Sequence, residues 1–507
     1  YAARIEYLSR RALFLDRKQL VSVLSDYNHS IGNHGKALAN IEALQEQDAL
    51  VIIGGQQAGL FTGPLMVIYK AVTIIRQAKE ASRRYGRPVI SVFSIAGEDH
   101  DFAEVDHVHM LRPTLMPQKI QLRKPDRDRA SISHLAISPE AWEEVLRQLT
   151  QLLPDTDSKP EFLNRLSVIC RDSQSLSVAF ARIMAWLFGE EGLVLVDSAD
   201  PALRRVEAPM WRALIHENDT LLQAFQQGSE HLKKAGYQPQ ADVHPDGANL
   251  FYYHHGERLL LFRRGNTYVD KQGLVSLSHD ELLQIAEREP DRLSNNVLTR
   301  PLMQDFVFPV LAVVLGPGEI AYWGQLKEAF ACLHMEMPVI IPREGYTLLE
   351  PADQKILAKY KLTLDDAMHR LAEKREQWLR SQDTMGLEDE FLALEARIKE
   401  WYEPLVAKAE RISPVMKDLG ATNEAKVIDQ IRYYRSRVMR EIAAKHELGL
   451  RQFDRLAAVL SPSGIPQERF YNVFYYLNRY GDDWLRQLIH EHRSDPLDYK
   501  HHSIVYL

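Results

Sequence analysis

The chain has 507 residues with 62 Lys+Arg against 69 Asp+Glu, a formal net charge of −7, and a length that suggests about two to four domains. Its 45% hydrophobic and 26% charged content is that of a globular protein, which excludes disordered and fibrous classes, and its mild acidity gives no general electrostatic reason to bind nucleic acid or an anionic membrane. Two cysteines, Cys170 and Cys332, exclude a disulfide framework and a cysteine-based zinc site and point to a reducing, cytoplasmic setting, while the longest apolar run, Phe306 to Leu315, is about half of the ~20 residues a membrane helix needs.

From about residue 50 to 350, short apolar runs alternate with helical patterns, the signature of βα units and a parallel sheet. Ala49–Ile53, Val89–Ile95, Leu193–Val196, Phe308–Leu315 and Pro338–Ile341 read as buried strands. After the first, Pro64 opens a helix with Leu65, Ile68, Val72 and Ile75 on one face, closed by Gly86. Residues 140–190 are mostly amphipathic helix, and residues 248–270 read as a small β-meander turning at His255-Gly256 and Gly265-Asn266. Beyond Glu350, Leu387, Phe391, Leu394, Ile398, Trp401 and Leu405 follow a 4-3 spacing, as do Val427, Ile431, Tyr434 and Val438. That is a coiled-coil seam. Ser413-Pro414 suggests a hairpin of two long helices, and Pro404 should kink the first. The expected organisation is a sheet core over 1–135 and 291–355, inserted helical and meander segments over 136–290 with a core strand near 193–196, a helical arm over 356–460, and a tail over 461–507 packed on the body.

In an open parallel sheet, ligands bind beyond the carboxyl ends of the strands. The first such loop runs Gly54-Gly55-Gln56-Gln57-Ala58-Gly59-Leu60-Phe61-Thr62-Gly63-Pro64. Its glycines let the backbone approach a ligand, and Pro64 at a helix start favours an anion such as phosphate or carboxylate. It is neither a P-loop nor a dinucleotide fingerprint. After the second strand, Glu98, Asp99, His100, Asp101 and Glu104 share one rim, suited to binding a cation, holding an ammonium or acid/base work around His100. A mononuclear metal site using His100, His107 or His109 lacks recognisable ligand spacing, so no metal is assigned. Around the fourth strand, Asn295, Asn296 and Arg300 precede it and Gly316-Pro317-Gly318-Glu319 follows it. Arg300 there could grip a carboxylate bidentately. No cysteine sits in a nucleophile context, and no Gly-x-Ser-x-Gly elbow occurs.

Four segments taken together, Gly55–Pro64, Ala96–Phe102, Leu293–Pro301 and Gly316–Trp323, resemble the cysteine-adding enzymes of bacillithiol biosynthesis, in order and spacing along essentially the whole chain, including the arm and the tail Tyr476-Leu-Asn-Arg-Tyr-Gly…His501-His502. Tyr69 departs from the His found in many relatives, and Gly54-Gly55 from Thr-Gly. The resemblance implies an α/β fold with a Rossmann-like core akin to class I aminoacyl-tRNA synthetases and nucleotidylyl transferases, inserted connecting segments and a coiled-coil arm that makes a homodimer. It implies a ligase joining the carboxylate of L-cysteine to the amine of glucosaminyl-malate, with a nucleotide (ATP or ADP) and Mg²⁺ as possible cofactors. Gly55, Gln56, Gln57, Gly59, Thr62, Gly63, Gly316, Gly318, Glu319, Tyr322 and Trp323 would then line the substrate and nucleotide site together with Asn295 and Asn296. His100 or Asp101 would take the proton of the amine, Glu98 or Asp99 would hold the cysteine ammonium, and Arg300 or Arg343 would neutralise malate. Other readings are a different nucleotide-dependent amide-forming or nucleotidylyl-transferring enzyme, and a non-catalytic coiled-coil assembly protein.

Overall fold

A computed structural model describes residues 1–11, 15–112, 114–125, 130–490 and 502–507; His501 of the quoted tail lies outside them. Five apolar runs form one sheet: β1 (Leu50–Gln56), β2 (Val89–Ile95), β3 (Val194–Asp197), β4 (Val310–Leu315) and β5 (Val339–Pro342). All neighbours are parallel, in the order β3-β2-β1-β4-β5. Strands covered on both faces need no polar alternation, which is why β4 is buried at every position. The order 3-2-1-4-5 is that of the Rossmann fold, and its topological switch point falls between β1 and β4. The α/β expectation with a Rossmann-like core therefore holds. Helix α1 (Leu65–Tyr85) makes the first crossover, burying Leu65, Ile68, Val72 and Ile75 completely and ending on Gly86 at φ 62°.

The meander is larger than its sequence suggested. Gly247–His254, Glu257–Arg264 and Thr267–Asp270 are joined by Ser276–Ser278 on one side and by Leu293–Asn295 on the other, giving a five-stranded antiparallel sheet. The segment expected as a lead-in to β4 is thus partly a strand of this second sheet, with Ser294 opposite Phe251. The two sheets share a core: Val51, Ile53 and Val196 belong to the same apolar cluster as Leu250, Leu261 and Tyr268.

The chain divides into two compact units, residues 1–348 with 468–505 and 507, and residues 349–467 with 506. The second is helical. Its long elements are α2 (Leu387–Glu410), which runs on through Pro404, and α3 (Val415–Lys445). They meet through the Phe391 and Tyr434 rings, 5.5 Å apart, and through Glu395, which pairs with Arg432 at 2.9 Å and Arg435 at 3.0 Å. Much of the 4-3 stripe faces outward instead: Trp401 is 66% exposed, Leu405 63% and Tyr434 62%. One hairpin interface buries only one side of each helix, so a stripe of this width keeps an uncovered edge.

Candidate active site at the switch point

The loop after β1 is held by the chain itself. A Cβ on Gly55 would lie 2.5 Å from the Ser94 carbonyl oxygen, and one on Gly59 would lie 2.9 Å from the Gly63 Cα. These glycines therefore admit neighbouring backbone, where the sequence suggested approach to a ligand. Phe61, Thr62 and Gly63 stand consecutively at φ 48°, 76° and 70°. Such left-handed runs cost energy unless their surroundings fix them. Asn472, fully buried, does so by donating through Nδ2 to the carbonyls of Phe61 and Gly63, both at 2.7 Å. The Leu65 N–H, the first of α1, donates to the Tyr471 carbonyl at 2.9 Å, so the helix start is already engaged by the tail. Thr62 is fully buried, and among the described residues its hydroxyl meets no partner.

The two glutamines face opposite ways. Gln57 Nε2 donates to Asp99 at 2.5 Å and to Glu104 at 2.7 Å. Gln56 Oε1 accepts from Lys70 at 3.0 Å. Lys70, from the second turn of α1, is 2% exposed and also donates to the Gly55 carbonyl at 2.7 Å and to Glu319 Oε2 at 2.5 Å. Burial pulls the Lys70 ammonium below its ordinary value, against the opposing effect of Glu319. Glu319 in turn accepts the Gly316 N–H at 2.7 Å, so β1 and β4 are tied together across the switch point.

The acidic turn after β2 is built around Gly97, where a Cβ would come within 1.9 Å of Ser133 Oγ and 2.2 Å of Asp197 Oδ1. Glu98 points inward and is 3% exposed. It pairs with Arg204 and accepts from Ser294 Oγ at 2.8 Å and the Asn295 N–H at 3.1 Å. Burial pushes its carboxyl up, but Arg204 and Arg258 prevail and hold it below its ordinary value. Asp99 is half-buried; burial is likewise outweighed, here by Gln57, Arg258 and the backbone N–H of His100 at 2.7 Å. Asp101 is exposed at the rim. His100 Nδ1 lies 3.1 Å from Arg258 Nη1.

Asn295 presents a buried Oδ1 without a partner among the described residues, while Asn296 caps its own turn, accepting from the N–H groups of Leu298 at 3.0 Å and Thr299 at 2.9 Å. Arg300 is half-buried and donates to the neutral Tyr322 hydroxyl at 2.9 Å. Burial opposes its charge, yet Tyr322 and Glu319 raise the guanidinium above its ordinary value. Glu98, Asn295 and Arg300 line one small cavity of about 30 Å³. Arg343 is committed elsewhere, in a two-pronged pair with Glu468 at 2.5 and 2.9 Å. Trp323 is fully buried in the apolar core, and Gly318 is exposed with nothing within 4 Å of a built Cβ. Tyr69 is fully buried against Tyr346, ring centroids 4.9 Å apart, and burial pushes its phenol well up.

The structure thus brings Gln56, Gln57, Glu98, Asp99, His100, Asn295, Arg300, Glu319 and Tyr322 around the switch point and sets Trp323, Asn296 and Arg343 in structural positions. Four residues that motif reasoning passed over complete the site: Lys70, Arg204, Arg258 and Asn472. Only Lys70 carried a signal, as a cation one turn into the helix that follows a glycine-rich loop. Cys170 is fully buried, and burial pushes its thiol up to about 12, which removes it as a nucleophile. Among the described residues no group of three or more His, Cys, Asp or Glu is placed to hold a metal ion.

Residues 1–344 match the family described as "Bacillithiol biosynthesis BshC, N-terminal Rossmann-like domain", and residues 346–507 match "Bacillithiol biosynthesis BshC, C-terminal coiled-coil domain". The chain is similar to proteins named "Putative cysteine ligase BshC". It is 38% identical to that of Geobacillus thermodenitrificans over 496 residues (96% of this chain, 90% of the relative). To that of Symbiobacterium thermophilum it is 36% identical over 508 residues (96% and 91%). To that of Anoxybacillus flavithermus it is 34% identical over 510 residues (100% and 94%).

Proposed function

The chain belongs to the bacillithiol biosynthesis BshC family, and from that premise we propose that it is a cytoplasmic ligase joining the carboxylate of L-cysteine to the amine of glucosaminyl-malate. The observation that carries the reading is Arg300: a cation at the sheet mouth that donates to the Tyr322 hydroxyl and, among the described residues, forms no direct ion pair, so an anionic substrate can take that place. A guanidinium in that state suits the malate carboxylates. The relatives' printed name supports cysteine as the other partner.

A free carboxylate does not condense with an amine in water, so an oxygen of the cysteine carboxylate must first bond to a phosphorus of ATP, displacing pyrophosphate or ADP and leaving an acyl adenylate or acyl phosphate. The Gly316–Gly318 turn suits the nucleotide better than the loop after β1, because a Cβ at Gly318 meets nothing and the turn is open. Magnesium would accompany the phosphates. The glucosaminyl amine attacks the acyl carbon, the adenylate or phosphate departs, and the amine proton passes to Asp101, the exposed carboxylate of the rim. Glu98, 3% exposed and tied through Oε2 by Arg204, Ser294 and Asn295, positions the turn, and the cysteine ammonium falls to the more accessible Asp99. The substrates are small molecules and not nucleic acid, and among the described residues no helix is long and apolar enough to cross a membrane. The outward-facing Trp401 and Leu405 support a homodimer formed through the arm.

Nucleotide cleavage by the purified protein, measured with each substrate alone and with both, tests the activation. Cleavage that requires L-cysteine supports it; cleavage indifferent to cysteine contradicts it.

A further inference from the structure

Arg258 arrives at the acidic turn from the strand Glu257–Arg264 and is held on every side. Its Nε donates to Ser294 Oγ at 2.8 Å, its Nη2 to the Asn295 carbonyl at 2.5 Å, and its guanidinium lies 3.7 Å from the centroid of the Phe251 ring. It is 7% exposed. Its remaining nitrogen, Nη1, stands 3.1 Å from His100 Nδ1. A guanidinium carries donors only and cannot lose a proton near neutrality, so across that distance the imidazole nitrogen must accept. A proton on Nδ1 would set N–H against N–H. Among the described residues Asp99 also faces the ring; its Oδ1 is 3.7 Å from the same nitrogen, beyond hydrogen-bond reach, and already accepts the His100 backbone N–H at 2.7 Å. Glu98 lies behind the arginines, paired with Arg204.

We infer that Arg258 is a positioning residue that fixes His100 as the neutral imidazole protonated at Nε2, so that His100 serves the reaction as a hydrogen-bond donor and not as the base. The tautomer follows from the geometry alone; the role deepens the ligase reading and rests on it. Charging the ring would place an imidazolium beside a fixed guanidinium, which the repulsion of like charges opposes. A neutral Nε2–H is suited to the oxygen that becomes negative as the amine adds to the acyl carbon. The sequence had offered His100 and Asp101 as alternative bases; the arginine removes the first.

The test uses the full chain with ¹⁵N-labelled histidine, the His100 signals being those lost in His100→Gln. The expected pattern is the neutral Nε2–H form, unchanged between about pH 6 and 8, where an ordinary imidazole titrates near 6.5. Arg258→Met should release the ring to titrate. A wild-type ring protonated at Nδ1, or carrying both protons at neutral pH, would overturn the assignment, and this readout stands whether or not Arg258→Met folds. In turnover, His100→Ala should lose roughly 10²–10³-fold in kcat, the cost of one oxyanion donor. His100→Gln, which keeps a donor, should recover part of that loss with the pH profile unmoved. Equal loss in both variants, with disappearance of the acidic limb of the pH profile that a general base would produce, would contradict the donor role. Should wild type form no product at all, the ligase reading fails while the spectrum still decides the tautomer.

Discussion

Lys70 Nζ and Glu319 Oε2 lie 2.5 Å apart across the switch point, joining the helix after β1 to the turn after β4. The lysine side chain is 2% exposed and the glutamate 24%, so the pair sits at the border of the core. Removing one partner of such a pair strands a charge, whereas removing both does not. Glu319→Gln should cost about 2–3 kcal/mol, at or just below the ~3–5 kcal/mol of a fully buried pair because water reaches the glutamate. Lys70→Met combined with Glu319→Gln should recover part of it. Urea unfolding of the four members of the cycle measures the coupling, and additive losses would show that the pair does not hold the two loops together.

Arg300 is assigned to the malate carboxylates. Arg300→Ala should raise KM for glucosaminyl-malate roughly 10- to 100-fold, as expected for about 1.5–3 kcal/mol of charge-assisted hydrogen bonding, with a smaller effect on the KM for cysteine. Steady-state kinetics with each substrate varied in turn reads the difference. An unchanged KM for glucosaminyl-malate would move the anion site elsewhere.

Asp197, at the end of β3, is 6% exposed, and burial pushes its carboxyl up to about 6 despite the Ser133 hydrogen bond at 2.6 Å and the Ala199 N–H at 2.9 Å. The unfolded value is near 3.9, so between about pH 4 and 6 the folded chain binds the extra proton. Its contribution to stability is therefore full below about pH 4 and is lost as the pH rises through about 6. Asp197→Asn should remove that part of the slope. Denaturant midpoints of both proteins across this window test it; parallel curves would contradict the assignment.

Trp401 and Leu405 keep most of their surface in water on α2. Trp401→Glu with Leu405→Glu should convert a dimer to a monomer in sedimentation velocity while leaving the helical content unchanged. A wild-type chain that sediments as a monomer would remove the arm as a dimerisation element.

Much of the fold was written locally. β4 is an unbroken apolar run, and α1 has a periodic face with a glycine stop, so both could be read without knowing what they touch. Leu293–Asn295 could not, because a strand of three residues has no period and exists only by pairing with Leu250–Tyr252. Glu98 illustrates the same limit at the site. Its position on the rim was legible, but its partners Arg204 and Ser294 come from 106 and 196 residues away, and they convert an apparent ligand group into a structural one. The glycines of the first loop read, from sequence, as positions where the backbone approaches a ligand. What approaches them, the Ser94 carbonyl and Gly63, is the protein's own backbone. Asp99, His100 and Asp101 kept their place at the mouth because a short turn after a buried strand leaves its side chains little choice of side.

The most direct measurement is mass spectrometry of the product from purified protein, L-cysteine and glucosaminyl-malate, with and without ATP and Mg²⁺. The account predicts cysteinyl-glucosaminyl-malate, the amide formed with loss of one water overall, only when both substrates and the nucleotide are present. Absence of that amide under all conditions from a folded protein that binds both substrates would contradict it.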